Sequence, residues 1–97
     1  VEAHRFRLGR HELDLVIRRG NHVVFVEVKT RRGQDYGTGR QAVGWRKRQA
    51  LGRVAEAWRL RYGQPEDTYR FDVIEVTPRP GRPPAIQHLE DAWRLLR

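Results

Sequence analysis

Cysteine and methionine are both absent from this sequence. The first absence excludes disulfide bridges and thiolate metal sites. The second, together with a first residue of Val1, reads as the mark of a processed or truncated product. Long apolar runs are missing too. No stretch approaches the ~20 residues that cross a bilayer, and no secretory signal is visible, so no membrane partner and a cytoplasmic location are expected. The four histidines, His4, His11, His22 and His88, lack zinc-site spacing. Hydrophobic residues are only 38% of the 97, and charged residues are 33%. A single domain over 1–97 must therefore close around a compact core beneath a heavily solvated surface.

Acid is the scarcer charge. Twelve Asp and Glu stand against 20 Lys and Arg, a formal +8. Most of the cations are arginine, whose planar fork suits phosphate oxygens. A field of this sign attracts polyanions, of which nucleic acid is the commonest in a cytoplasm. A general basic bias with no nucleic-acid partner is the bland reading of the same numbers.

The pattern along the chain predicts an α/β fold. A short strand fits 3–7, and the alternation in HELDLVI predicts a strand over 11–17. A turn at Arg18-Arg19-Gly20-Asn21 leads into HVVFVEVKT, a second strand over 22–30. Val23, Val24, Phe25, Val26 and Val28 are apolar on both faces, so this strand is expected to be central and covered on each side. Residues 31–39 carry three glycines and read as a loop. A helix is expected over 40–62, with Val43, Lys47, Leu51, Val54, Ala55, Trp58 and Tyr62 on one stripe and Gly63 as its stop. YRFDVIEV predicts a strand over 69–76, and PRPGRPP a stiff loop over 78–84. A short strand at 85–87 and a last helix over 88–96, packed through Leu89, Trp93 and Leu96, complete a mixed sheet flanked by helices.

Chemistry is concentrated at Glu27 and Lys29. They stand two apart on the most apolar strand, so both point to one face. Burying an unpaired charge costs several kcal/mol, so two ionisable groups there need a reason. Asp14 comes from the preceding hairpin strand and lies within a few residues of Glu27 across the ladder. The carboxylates of Asp14 and Glu27 with the backbone carbonyl of Val28 make a hard-oxygen set suited to Mg²⁺ or Mn²⁺. Such an ion lowers the pKa of bound water and neutralises charge on a phosphate, and Lys29 is placed to assist the water and the transition state. Glu12, on the face of Asp14, is a weaker candidate ligand. The competing reading is a cross-strand salt bridge contributing about 0.2–1 kcal/mol. Lys47 on the helix stripe could reach a phosphate or simply snorkel. Arg31, Arg32 and Tyr36 place a basic, glycine-containing loop beside the site. Asp72, near Arg70, reads as structural, and Trp45, Trp58 and Trp93 read as packing residues.

Taken together, HELDLVIRRGNHVVFVEVKTRR, a glycine-containing loop, a lysine-bearing helix, RFDVIEV and the closing IQHLEDAW resemble the YraN-type family of uncharacterised bacterial proteins over nearly the whole chain. That resemblance implies a restriction-endonuclease-like fold, near the Holliday junction resolvases and the tRNA endonuclease-like domains, with a PD-(D/E)xK type site. Asp14 would match its first acid, Glu27 its second, Lys29 its lysine, and Lys47 the helix lysine of the family. The family's members usually carry a helix before the first strand, which this sequence begins too late to contain. A dimeric or swapped arrangement would then cover the exposed sheet face. His11 stands where the family usually has glycine. The expected function is nucleic-acid binding, with metal-dependent hydrolysis of phosphodiesters in structured DNA or RNA. A non-catalytic nucleic-acid-binding module and a structural, partner-binding protein are the alternatives.

Overall fold

The computed structural model describes residues 2–30 and 45–93. Three strands, β1 (Glu2–Leu8), β2 (His11–Arg19) and β3 (His22–Thr30), come first. Helix α1 (Trp45–Tyr62) and two longer strands, β4 (Thr68–Arg79) and β5 (Arg82–Trp93), follow. The strands form one sheet in the order β1-β2-β3-β4-β5. Only β3 and β4 are parallel, and α1 lies in the crossover between them, as a parallel pair requires. No helix among the described residues is long and apolar enough to cross a membrane.

The β2–β3 hairpin follows the expected turn, with Arg19 opposite His22 and Gly20-Asn21 between them. Alternation then sends Val23, Phe25, Glu27 and Lys29 to one face of β3, and Val24, Val26 and Val28 to the other. The first face receives α1. Leu51, Val54, Ala55 and Trp58 bury against Val16, Val23, Phe25, Phe71 and Val73. Phe25 is the hub, with ring centroids 5.6 Å from Trp58, 5.7 Å from Tyr69 and 5.2 Å from Phe71. Trp93 stacks on Phe71 at 4.7 Å, so Trp58 and Trp93 are packing residues. The side chain of Trp45 lies outside the described residues. The helix ends where a side chain would not fit. A Cβ on Gly63 would stand 2.4 Å from the Arg59 carbonyl oxygen and 2.5 Å from the Tyr69 hydroxyl.

Three expectations are corrected. The segment expected as a helix over 88–96 is a strand as far as Trp93, and 94–96 lie outside the described residues. The four-residue spacing of Leu89 and Trp93 fits a helix stripe, but it also keeps two residues on one face of a strand. Here Leu89 pairs with Val73 and Trp93 with Phe71, so β5 holds two residues more than β4 over the same stretch. The expected loop over 78–84 is instead the end of a hairpin, closed at Arg79 and Arg82 around Pro80-Gly81. Gly81, at φ 66°, supplies the left-handed conformation this turn needs. Pro78 lies beyond the last described pair of β3 with β4, Thr30 opposite Val76, and no described strand asks it for an amide donor on that side. Finally, β3 is central, but among the described residues a helix covers only one face. On the other, Val26 is buried while Val28 is 42% exposed. The sheet is mixed, with one helix.

At the end of the sheet where α1 stops, Arg18 clasps Asp67. Its two terminal nitrogens donate to Oδ1 at 2.7 Å and Oδ2 at 2.6 Å, and the Gln64 amide donates to Oδ2 at 2.7 Å. This two-pronged bond from Arg18 is the main reason the Asp67 pKa falls to about 2 from an ordinary 3.8. A carboxylate whose pKa drops on folding stabilises the folded state above the ordinary value, and that stability is lost as the pH falls towards the folded value. Asp67→Asn is expected to lower the melting temperature at pH 7. The deficit should shrink in melts recorded from pH 3.8 down to about 2. Trp58→Ala, at a site only 1% exposed, is expected to cost about 3–5 kcal/mol in urea unfolding.

Candidate metal and nucleic-acid site

The acidic pair owes its position to an irregularity in β2. Along the β1–β2 ladder His4 faces Val16 but Phe6 faces Leu13, so Asp14 and Leu15 together oppose Arg5. This is a β-bulge, a feature that re-aims side chains. It turns both Leu13 and Val16 into the core. It also coincides with the last backbone pair between β2 and β3, Leu15 with Val26. Beyond that pair the Asp14 side chain takes over, its Oδ2 accepting the Val28 amide at 2.8 Å.

Asp14 is thereby held against β3 beside Glu27. The Glu27 carboxylate is only 6% exposed, on the α1 face of the strand. Burial raises its pKa above the ordinary 4.5. The hydrogen bond and charge of Lys47 oppose that rise, and the charge of Asp14 adds to it. Lys47 Nζ lies 2.7 Å from Glu27 Oε1. The helix lysine is therefore an ion-pair partner of the candidate site. The other oxygen, Glu27 Oε2, is buried with no hydrogen-bond partner among the described residues. A carboxylate oxygen left so can take a cation, and a second carboxylate alongside supplies the hard donors that a divalent ion prefers. On this structure's own chemistry, Asp14 and Glu27 fit such an ion as a two-carboxylate site. Among the described residues no group of three or more histidine, aspartate and glutamate side chains could hold a metal.

Lys29 shares the Glu27 face of β3 and stands opposite Glu75 in the parallel ladder. Sequence reasoning missed Glu75. It is 3% exposed, and the alternation Phe71, Val73, Glu75 puts it on the α1 face. An acid at that point of an otherwise apolar alternation was the available signal. Glu12, the weaker candidate, is held by Arg7 at 3.1 Å and Arg5 at 3.9 Å. Arg31, Arg32 and Tyr36 lie outside the described residues. Asp72 is structural. Its fully buried carboxylate accepts from Arg70 Nε and Nη2, both at 2.8 Å, and from the Asp91 amide at 2.9 Å. His88 Nε2 lies 2.6 Å from its Oδ2.

Because the folded state disfavours ionised Glu27, this residue costs stability once the pH exceeds its ordinary value. The cost grows until the raised folded value is passed. Glu27→Gln is therefore expected to melt above wild type at pH 7 without metal, with the gap closing as the pH falls below 4.5. Lys47→Ala removes an opposing influence and should destabilise at pH 7. Adding Glu27→Gln should relieve most of that loss, a coupling read in a double-mutant cycle of melting free energies.

Comparison with known proteins places these residues in a family. The sequence pattern of uncharacterised protein family UPF0102 matches residues 1–76. A UPF0102 protein of Nocardia farcinica is 42% identical over 90 residues, 93% of this chain and 71% of that protein. One from Symbiobacterium thermophilum is 49% identical over 76 residues, 78% of this chain and 63% of that protein. One from Geobacter sulfurreducens is 41% identical over 90 residues, 93% of this chain and 70% of that protein. On this match the chain belongs to the uncharacterised protein family UPF0102.

Proposed function

We propose that this chain binds nucleic acid and carries a divalent-metal site for phosphodiester hydrolysis, on a core of the restriction-endonuclease type. The observation that carries the reading is Glu27, a buried carboxylate with an unsatisfied oxygen and Asp14 beside it. A structure that spends stability on two adjacent acids gains it back when a cation binds. Glu27 also lies towards the carboxyl end of β3, the end of the parallel strands at which open α/β sheets bind ligands. A net charge of +8 supplies the attraction for a phosphate backbone.

In this reading Asp14 and Glu27 hold Mg²⁺ or Mn²⁺, with the Val28 carbonyl as a third oxygen. The ion, when bound, makes its water more acidic and neutralises charge on the phosphate. Lys29 orients the attacking water and stabilises charge developing on the phosphoryl oxygens. Lys47, released from part of its pairing with Glu27, and Arg31 and Arg32 grip neighbouring phosphates. A second reading, a non-catalytic nucleic-acid-binding module, is favoured by the 2.7 Å contact that already sets an ammonium group on Glu27.

Calorimetric titration of Mn²⁺ separates the two. The nuclease reading expects binding to wild type that Glu27→Ala abolishes. It also expects Mg²⁺-dependent cleavage of branched or duplex substrates that Lys29→Ala reduces by at least about 100-fold, the usual scale for a general acid–base group. No heat with Mn²⁺, or cleavage unchanged in Lys29→Ala, would overturn it. Binding of nucleic acid that survives Asp14→Ala without any cleavage would leave the module.

A further inference from the structure

Among the described residues, the β4–β5 hairpin outruns the rest of the sheet. β4 follows β3 as far as Val76 opposite Thr30, then continues through Thr77, Pro78 and Arg79 before β5 returns from Arg82. Arg79 stands six residues past Val73, the partner of Glu27. At about 3.3 Å per residue the tip lies roughly 20 Å beyond the acidic pair, towards the same end of the sheet. Residues 78–88 are all exposed, and Ile86 is 68% exposed.

This projection is stiff and of one charge. Four of the five prolines, Pro78, Pro80, Pro83 and Pro84, lie in or beside its turn. Arg79 Nε donates to the Pro83 carbonyl at 2.9 Å, across the turn. Its terminal nitrogens have no partner among the described residues. Arg82 adds a second fork, and no acid occurs between Glu75 and Glu90. The match to the family pattern ends at Val76, where the projection begins.

We infer that the Arg79–Arg82 tip is a duplex-contacting finger that enters the major groove of B-form DNA. This rests on the nucleic-acid reading above and names its substrate as double-stranded DNA. The geometry decides the class. The B-DNA major groove is about 12 Å wide and accepts a two-stranded ribbon, whereas the major groove of duplex RNA is too narrow for side chains to enter. A ribbon already held in its bound shape loses little conformational freedom on docking. With a rise of about 3.4 Å per base pair, a tip about 20 Å from Glu27 meets the duplex about six base pairs from the phosphate at the acidic pair.

The test is fluorescence anisotropy with labelled DNA and RNA duplexes of one sequence, in chelator, over a range of salt. Wild type, Arg79→Gln/Arg82→Gln, Arg79→Lys/Arg82→Lys and the helix-surface pair Arg53→Gln/Arg61→Gln are compared, with melts to verify folding. The finger predicts that wild type prefers the DNA duplex. The glutamine tip variant should lose about tenfold or more on DNA, and its log–log salt slope should fall by about two, one phosphate per arginine. The lysine tip should recover the slope, and the helix pair should leave the preference for DNA intact. Wild-type binding with the glutamine tip unchanged, or equal losses on RNA and DNA, overturns the finger alone. Wild type that binds neither duplex overturns the nucleic-acid reading with it.

Discussion

Leu13 and Val16 both reach the core although three positions separate them, and a regular strand cannot do this. The bulge at Asp14 and Leu15 resolves the conflict, and much else follows from it. It lets β2 pair with β1 on one side while leaving β3 on the other after Val26. The gap that opens is closed by a carboxylate and not by backbone, and this is what brings Asp14 to the Val28 amide and to Glu27. Core packing and the acidic pair are thus two results of one extra residue. A substitution that regularised β2 would have to expose Leu13 or withdraw Asp14.

Glu27 shows how narrow the electrostatic balance is. Burial, the largest single cause, and the neighbouring Asp14 act against its ionised form, while the hydrogen bond and charge of Lys47 act for it. The side chain is therefore kept at a cost to the fold. Asp72 is the contrast. It is more deeply buried, yet its pKa is lowered, because Arg70, His88 and the Asp91 amide satisfy both oxygens. One buried acid is fully provided for and the other keeps an oxygen with no hydrogen-bond partner among the described residues, which is why the second, and not the first, draws a functional reading.

The sequence showed most of this through local patterns. Glu27 and Lys29 were legible because charges interrupt an apolar strand, and the tight Gly20-Asn21 turn was enough to bring Asp14 near them. Tertiary effects hid the rest. Nothing in HELDLVI announces that one residue is surplus to the ladder, so the bulge that sends both Leu13 and Val16 to the core is invisible there. Leu89 and Trp93 fit two periodicities at once, and only the open edge of β4 decides for a strand. Prolines in PRPGRPP suggested a loop because the extent of the ladder with β3, whose last described pair precedes Pro78, is invisible in that stretch alone. Glu75 went unnoticed because its significance lies in being opposite Lys29, a pairing made by a crossover of more than 30 residues.

The Asp72 carboxylate also fixes the alignment of β5. It binds the amide of Asp91, whose φ of 51° marks the distorted end of that strand. Sliding β5 by one position along β4 would withdraw the Asp91 amide and His88 from this buried carboxylate and leave Arg70 alone on it. The ribbon is thus clamped at its root and free at its point, like a cantilever. Force applied to the arginine tip is transmitted to the packed sheet without being absorbed by slippage.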